Sequence, residues 1–253
     1  MVRIGLQLYS VKEAAQADLL GTVEKVAEMG YDGVEFAGFF GHGAREIRRV
    51  LEDTGLKTAG SHLPLDQLLP DRLEKTMDFH EELGCPLLVC PWLPEELRSP
   101  EGFREVAGIL DRAGEICAKR GLELAYHNHD FEFDPPEGPN GFGILFDHTT
   151  RVKMELDCYW AVDAGLDPGD LIRKDSGRYA ALHIKDLKRT SDGNISTEIG
   201  DGEIDNGTLV ELAEKEGIPW VIAEQEHFRG DPMESAAVNA RVLKALVRGA
   251  ECP

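Results

Sequence analysis

The amino-acid sequence predicts a closed (β/α)₈ barrel that forms a single domain over residues 1–253. Five amphipathic runs each end at a glycine, which stops helices readily because it tolerates the left-handed backbone conformation. These glycines are Gly30, Gly55, Gly84, Gly121 and Gly217. Short apolar or β-rich segments alternate with the helical runs, and eight can be counted: residues 4–8, 33–36, 57–60, 87–90, 123–127, 152–157, 179–185 and 219–224.

The alternation of strands and helices indicates that the strands are parallel, because parallel neighbours need crossover connections. Further helical stretches are predicted at residues 142–149, 168–176 and 233–248. An open doubly wound sheet is the competing fold, but the first turn, Leu8-Tyr9-Ser10, lacks the glycines that cradle a phosphate in that fold. The longest loops are expected at residues 130–140 and 186–207, after the fifth and seventh strands.

Composition excludes several classes of function. The formal net charge is −20, from 47 acidic residues against 27 Lys and Arg, which argues against a nucleic-acid partner. No segment approaches the ~20 apolar residues of a membrane span, and no targeting run begins the sequence, so a cytoplasmic location is expected. The five cysteines (Cys85, Cys90, Cys117, Cys158 and Cys252) lack metal-knuckle or dithiol spacing and are expected to be reduced thiols.

Polar or aromatic side chains follow almost every predicted strand, at the end where barrels of this type carry their active sites. They are Gln7, Tyr9, Glu35, His62, Trp92, His127, His129, Asp157, His183, Lys185, Glu224 and Glu226. Side chains alternate along a strand, so His127 and His129 share one face and can both reach the same centre.

One Asp, one Glu and two His suit a borderline divalent ion, most of all Mn²⁺ but also Co²⁺, Zn²⁺ or Fe²⁺. Each imidazole makes Mg²⁺ less suitable. Such an ion would polarise the carbonyl of a hydroxy-ketone and acidify the neighbouring C–H bond. Glu224 could then act as the base while it also touches the metal.

The motifs resemble those of the sugar phosphate isomerase/epimerase family, the xylose isomerase-like or AP endonuclease 2 family of TIM barrels. They keep that family's order and spacing across essentially the whole chain: Gly33-Val34-Glu35-Phe36, Tyr126-His127-Asn128-His129-Asp130-Phe131-Glu132-Phe133, Glu155-Leu156-Asp157-Cys158-Tyr159-Trp160, Leu182-His183-Ile184-Lys185-Asp186 and Ala223-Glu224-Gln225-Glu226. The resemblance implies a metal-dependent isomerase or epimerase of a small keto-sugar or related polyol. Dimers and tetramers are common among such proteins, so a homo-oligomer is also implied.

The resemblance makes Asp157, His183 and Glu224 metal ligands, with a fourth from strand 5: His127, or else His129. Ketose epimerases of the family place a glutamate where this chain has His127, and use two metal-bound glutamates as a proton-transfer pair. This departure keeps a second reaction open, a lyase, dehydratase or hydrolase acting on an inosose or a 3-keto-glycoside, with Lys185, His62 or His129 as general acid or base.

Substrate contacts are expected from Gln7, Glu35 and His62, and from Trp92 and Trp160 stacking on the sugar. Structural explanations compete with several of these roles. Trp92 and Trp160 could be core residues, Lys185 could pair with Asp157 or Asp186, and Glu35 and Glu155 could pair with Lys153 or Lys185. An endonuclease IV-like phosphodiesterase and a non-catalytic sugar-binding barrel are the remaining alternatives.

Overall fold

Eight parallel strands close into a barrel in the computed structural model, which describes residues 2–135 and 139–249. The barrel strands are β1 Arg3–Gln7, β2 Gly33–Phe36, β3 Lys57–His62, β4 Leu87–Cys90, β5 Glu123–His127, β6 Val152–Asp157, β7 Tyr179–Ile184 and β10 Trp220–Ala223. They follow one another around the barrel in chain order, and β10 pairs with β1 to complete it. The predicted fold class and all eight predicted strands are confirmed.

The helices surround the strands in a single domain. They are α1 Lys12–Ala17, α2 Leu19–Met29, α3 Ala44–Thr54, α4 Leu73–Leu83, α5 Pro100–Lys119, α6 Gly141–His148, α7 Cys158–Asp163, α8 Pro168–Lys174, α9 Asn206–Glu216 and α10 Pro232–Val247. All five predicted stop glycines adopt positive φ, between 74° and 85°, just past a helix. No helix in the described ranges is long and apolar enough to cross a membrane.

The segment after β7 differs from the expected long loop. It forms an antiparallel hairpin of β8 Asp186–Thr190 and β9 Gly193–Thr197, outside the barrel sheet. The buried Asp186 carboxylate holds this hairpin, because it accepts hydrogen bonds from the backbone N–H groups of Leu187, Gly200 and Ile204. Asp186 is therefore not the ion-pair partner of Lys185.

Apolar side chains fill the space between strands and helices, and polar groups concentrate at the carboxyl ends of the strands. Cys85, Cys90, Cys117 and Cys158 are buried and unpaired, in agreement with reduced thiols. Cys252 lies outside the described residues. The polar side chains therefore cluster at one end of the barrel, where neighbouring strand ends bring together residues that are distant in the sequence.

Candidate active site

Four side chains at the ends of neighbouring strands form a cluster that we call the candidate metal centre: His127, Asp157, His183 and Glu224. Each offers one donor atom, these atoms all lie within 4.8 Å of one another, and all four residues are buried. His183 Nδ1 lies 3.0 Å from Glu224 Oε2, and His127 Nε2 lies 3.8 Å from Asp157 Oδ2. The strand ends thus bring together the four residues that the sequence analysis assigned to a metal. His129 is not one of this group.

Lys185 places an ammonium group beside the candidate metal centre. Its Nζ lies 2.9 Å from Asp157 Oδ2 and donates to Glu224 at 2.8 Å and to Glu226 at 2.6 Å. The side chain is fully buried. The expected ion pair with Asp157 is therefore present, and it is part of the site.

Two carboxylates lie beneath the candidate metal centre, and we call Glu35 and Glu155 the carboxylate floor. Glu155 Oε2 lies 2.8 Å from His62 Nε2, 3.1 Å from His127 Nδ1 and 3.2 Å from His183 Nε2. Glu35 Oε2 lies 2.7 Å from His183 Nε2 and accepts from Gln7 Nε2 at 2.8 Å.

Three residues have other positions or partners than the sequence predicted: Gln7, Glu35 and Glu155. Gln7 and Glu35 are fully buried and are not among the residues that line the cavity, although substrate contacts were expected from both. Glu155 does not pair with Lys153, which lies 3.5 Å from Glu123, or with Lys185. Glu155 instead contacts three imidazoles, a role that the sequence analysis missed. The alternation rule could have found it, since Glu155 and Asp157 share one face of β6.

The carboxylate floor accounts for the orientation of both imidazoles of the candidate metal centre. His127 presents Nδ1 to the floor and Nε2 toward Asp157, while His183 presents Nε2 to the floor and Nδ1 toward Glu224. An imidazole whose far nitrogen donates to a carboxylate keeps the near nitrogen unprotonated, which is the form that binds metals.

The electrostatics of the cluster follow from burial and from its surplus of acids. Burial opposes a charge on His62, but the carboxylates of Glu35 and Glu155 outweigh it and raise its pKa to about 10. Burial also raises the pKa of Asp157 to about 6, against the opposing effect of Lys185. Burial thus disfavours the ionised form of the Asp157 carboxyl group, and nearby positive charge favours it.

An open cavity of about 990 Å³ leads to this cluster. Its polar end is lined by His62, His127, His129, Trp160, Glu224 and Glu226. The rings of His62 and His129 lie 5.0 and 5.1 Å from that of His127, so three imidazoles adjoin one another. His129 Nδ1 and Trp160 Nε1 are buried and have no hydrogen-bond partner within the described residues.

His129 is fixed in place by Glu132, a second residue that the sequence analysis missed. The Glu132 carboxylate accepts from the Tyr126 hydroxyl at 2.5 Å and from the His129 backbone N–H at 2.7 Å. Burial raises the pKa of Glu132 to about 7. Burial and then the charge of Lys185 lower the pKa of the His129 side chain to about 4.

The donor set of the candidate metal centre fits a divalent cation. Two imidazole nitrogens and two carboxylate oxygens converge there, and mixed N/O sets of this kind suit borderline transition ions. The carboxylate floor adds two more acids, whereas Lys185 supplies a single buried ammonium. A bound cation would neutralise this surplus of negative charge.

The chain resembles known proteins over most of its length. The family model "Xylose isomerase-like TIM barrel" matches residues 23–246. An inosose dehydratase of Geobacillus kaustophilus is 24% identical, with 81% of this chain and 79% of the relative covered. An inosose dehydratase of Lactiplantibacillus plantarum is also 24% identical, with 85% and 84% covered. A solved sugar phosphate isomerase/epimerase from Parabacteroides distasonis is 26% identical, with a TM-score of 0.83 and 97% and 94% covered.

Proposed function

Since the chain belongs to the xylose isomerase-like TIM barrel family, we propose that it is a metal-dependent lyase that removes water from a keto-cyclitol of the inosose type. The observation that carries the proposal is the candidate metal centre at the mouth of the barrel, open to a cavity with two further imidazoles. The relatives named inosose dehydratase support the lyase over the isomerase or epimerase expected first.

His127, Asp157, His183 and Glu224 would hold the ion, and their donor types favour Mn²⁺, Co²⁺, Zn²⁺ or Fe²⁺ over Mg²⁺. We take Mn²⁺ as the resident ion, as the sequence analysis did. When bound, such an ion supplies Lewis-acid polarisation of a ketone carbonyl. The carboxylate floor and Lys185 keep the four donor side chains in position.

His129 and His62 are the groups that we assign to proton transfer. His129 lines the cavity and its pKa is lowered to about 4, so its unprotonated imidazole can accept the proton on the carbon next to the ketone. His62 Nε2 is held by Glu155, which leaves Nδ1 as the nitrogen that can give a proton.

The proposed reaction balances with these two groups. The C–H electron pair becomes a C=C bond, the C–O bond at the next carbon breaks, and the departing hydroxyl takes a proton to leave as water. The enol product then tautomerises to a 1,2-diketone. Proton transfer of this kind typically contributes about 10²–10⁴-fold in rate.

The charge of the cavity supports a neutral substrate. No Lys or Arg is among the described residues that line it, whereas Asp66, Glu105, Glu224 and Glu226 are. A phosphate group would find no Lys or Arg among the described lining residues to bind it, and the ammonium of the nearby Lys185 is already engaged by three carboxylates. The same feature disfavours the phosphodiesterase alternative.

The experiment that tests this function uses the full chain loaded with Mn²⁺ and an inosose as substrate. We expect the ultraviolet absorbance of the diketone to rise, and expect it not to rise after chelation or in Asp157→Ala. His129→Gln and His62→Gln should each lower kcat while Mn²⁺ stays bound. An inosose that remains unchanged with fully loaded protein would refute the lyase.

An epimerase stays the second candidate, supported by the solved isomerase/epimerase at 26% identity. It would share the first proton removal, and the proton would return to the opposite face of the same carbon. Solvent deuterium would then enter the substrate without loss of water, which NMR in D₂O distinguishes from the lyase. The homo-oligomer, the cytoplasmic location and the extent of the domain over residues 1–253 stay predictions.

A further inference from the structure

The cavity extends well beyond the polar cluster, and we propose that this extension is a subsite for a flat apolar group joined to the polyol part of the substrate. The proposal rests on the proposed function, because it takes the polyol ketone to lie at the candidate metal centre. It adds a substrate class: a neutral keto-polyol that carries an apolar ring.

The size of the cavity is the first argument. At about 990 Å³ it lies at the upper end of the range of about 300–1,000 Å³ that pockets for drug-sized ligands occupy. A single six-membered polyol would fill only the polar end, where His127, His129 and Glu224 lie. The remainder is contiguous with that end and forms part of the same cavity.

The chemistry of the far wall is the second argument. Loop segments after β3 and β4 and one residue of α5 supply it, and its side chains are apolar: Pro64, Leu65, Pro91, Trp92, Leu97 and Ile109. Free polyol hydroxyls would find few hydrogen-bond partners on this wall. An apolar ring bound against the wall would bury its apolar surface away from water, with a favourable free energy of about 25 cal/mol per Å² of buried area.

Trp92 is the third argument, because it is exposed yet held in place. The described chain exposes four large apolar side chains, Tyr9, Phe40, Trp92 and Ile116, and Tyr9 and Trp92 both line this cavity. The Arg98 guanidinium lies 4.9 Å from the Trp92 ring centroid and donates to the Leu93 carbonyl. An aromatic ring fixed in this way is a platform for stacking on a second flat ring.

The charged residues around the far part of the cavity indicate which kind of group it can bind. Asp66 and Glu105 are the charged residues that line the far part, and no basic residue accompanies them among the described lining residues. Arg72 pairs with Asp66 and the Arg98 guanidinium is engaged over the Trp92 and Phe131 rings, so the described lining residues offer an anionic group such as a phosphate or nucleotide no Lys or Arg side chain. An uncharged apolar ring fits both the wall and the rim.

The test compares two unreactive ligands that differ only in the apolar group, methyl and phenyl β-D-glucopyranoside. We expect calorimetric titration of the Mn²⁺-loaded chain to give a Kd about tenfold lower for the phenyl glycoside. Trp92→Ala should reduce this ratio to about twofold. Ile116→Ala is the matched control, because it removes an exposed apolar side chain outside the cavity and should leave the ratio unchanged.

Equal affinity for both glycosides, binding of neither, or a phenyl preference that survives in Trp92→Ala would each overturn the proposal. A second result would also overturn it: sedimentation that shows a dimer which dissociates in Trp92→Ala, together with no phenyl preference. The wall would then be a contact between two copies of the chain. Turnover of the inosose separates the two proposals. Turnover without a phenyl preference would reject the subsite alone, and a phenyl preference without turnover would reject the lyase alone.

Discussion

Glu155 contacts both imidazoles of the candidate metal centre without belonging to it. Its Oε2 lies within 3.2 Å of a ring nitrogen of His62, His127 and His183, and the side chain is fully buried. A carboxylate in this position fixes the tautomer and the ring orientation of the two donor imidazoles. Glu155 is therefore a positioning residue. Its substitution should weaken metal binding more than it lowers the stability of the fold.

Glu155→Gln tests this role. The amide keeps the shape of the side chain but accepts more weakly and brings an NH₂ group that competes with the imidazole N–H donors. We expect Mn²⁺ affinity, measured by competition with a fluorescent chelator, to fall about 10- to 100-fold. Glu123→Gln, which alters the exposed ion pair with Lys153, is the control. Equal affinity in wild type and Glu155→Gln would assign the carboxylate a purely structural role.

His80 is a buried imidazole remote from the site, and it makes stability depend on pH. Its Nδ1 donates to the Thr76 carbonyl at 2.7 Å, its Nε2 has no partner in the described structure, and burial lowers its pKa. The unfolded chain, with a His pKa of about 6.5, therefore takes up a proton first as the pH falls. Stability that is complete above that value is lost below it.

His80→Phe should flatten this pH dependence. Phenylalanine suits the aromatic contacts with Phe39 and Phe79 and carries no titratable proton. Between pH 7 and pH 5 the free energy of unfolding of the wild type should fall more steeply than that of the variant, by up to about 1.4 kcal/mol per pH unit. Urea denaturation measures it, with exposed His148→Phe as control. Parallel curves for wild type and His80→Phe would contradict the account.

The sequence predicted the residues of the site better than their contacts. Polar residues at strand ends could be assigned to one centre because parallel strands end at the same edge of a barrel. The depth of Gln7 and Glu35 could not be predicted, since position at a strand end does not distinguish a side chain facing the cavity from one beneath it. Glu155 pairs with histidines from three other strands, and such contacts depend on the register between strands.

The β8–β9 hairpin is the element that the sequence predicted least well. Its strands are short, lie outside the barrel and carry mostly polar side chains, so no apolar periodicity marks them. Barrel strands are easier to predict, because both faces are buried and the sequence shows a continuous apolar run. The hairpin depends instead on one buried carboxylate, that of Asp186, and on the three backbone N–H groups that it binds.

Asp186→Ala should therefore loosen the hairpin and leave the barrel intact. Three backbone donors lose a charged acceptor, and we expect the free energy of local opening to fall by about 2 kcal/mol or more. Hydrogen exchange followed by mass spectrometry should become faster in peptides covering residues 186–204, which contain all three donors, and stay unchanged in β2 and β4. Asp192→Ala, at the exposed tip, is the control. Faster exchange throughout the barrel would show that Asp186 stabilises the whole fold.

Barrel closure depends on a close approach around Gly33, where β2 lies between β1 and β3. A Cβ atom at Gly33 would lie 2.6 Å from the Lys57 carbonyl oxygen and 2.7 Å from the Trp220 ring. Neither can move easily, because one belongs to the backbone of β3 and the other to the buried core. The closed shape was predictable from the number of strands, whereas this contact between distant strands was not.

Gly33→Ala should destabilise the molecule by about 1–3 kcal/mol, the usual cost of overpacking. Gly108→Ala is the matched control, because its Cβ would meet only the flexible end of Arg112, within a helix where alanine is favoured. Guanidinium denaturation of both variants gives the comparison. Equal stability of Gly33→Ala and wild type would mean that the barrel adjusts more freely than its packing suggests.

The central claim is that four strand ends of one barrel converge to hold a single divalent ion. An anomalous-scattering crystal structure of the Mn²⁺-soaked protein tests it most directly. The account predicts one ion per chain, bound by His127, Asp157, His183 and Glu224, and no ion in Asp157→Ala. Bound Mn²⁺ found only elsewhere, or no Mn²⁺ at a concentration that saturates solution binding, would contradict it.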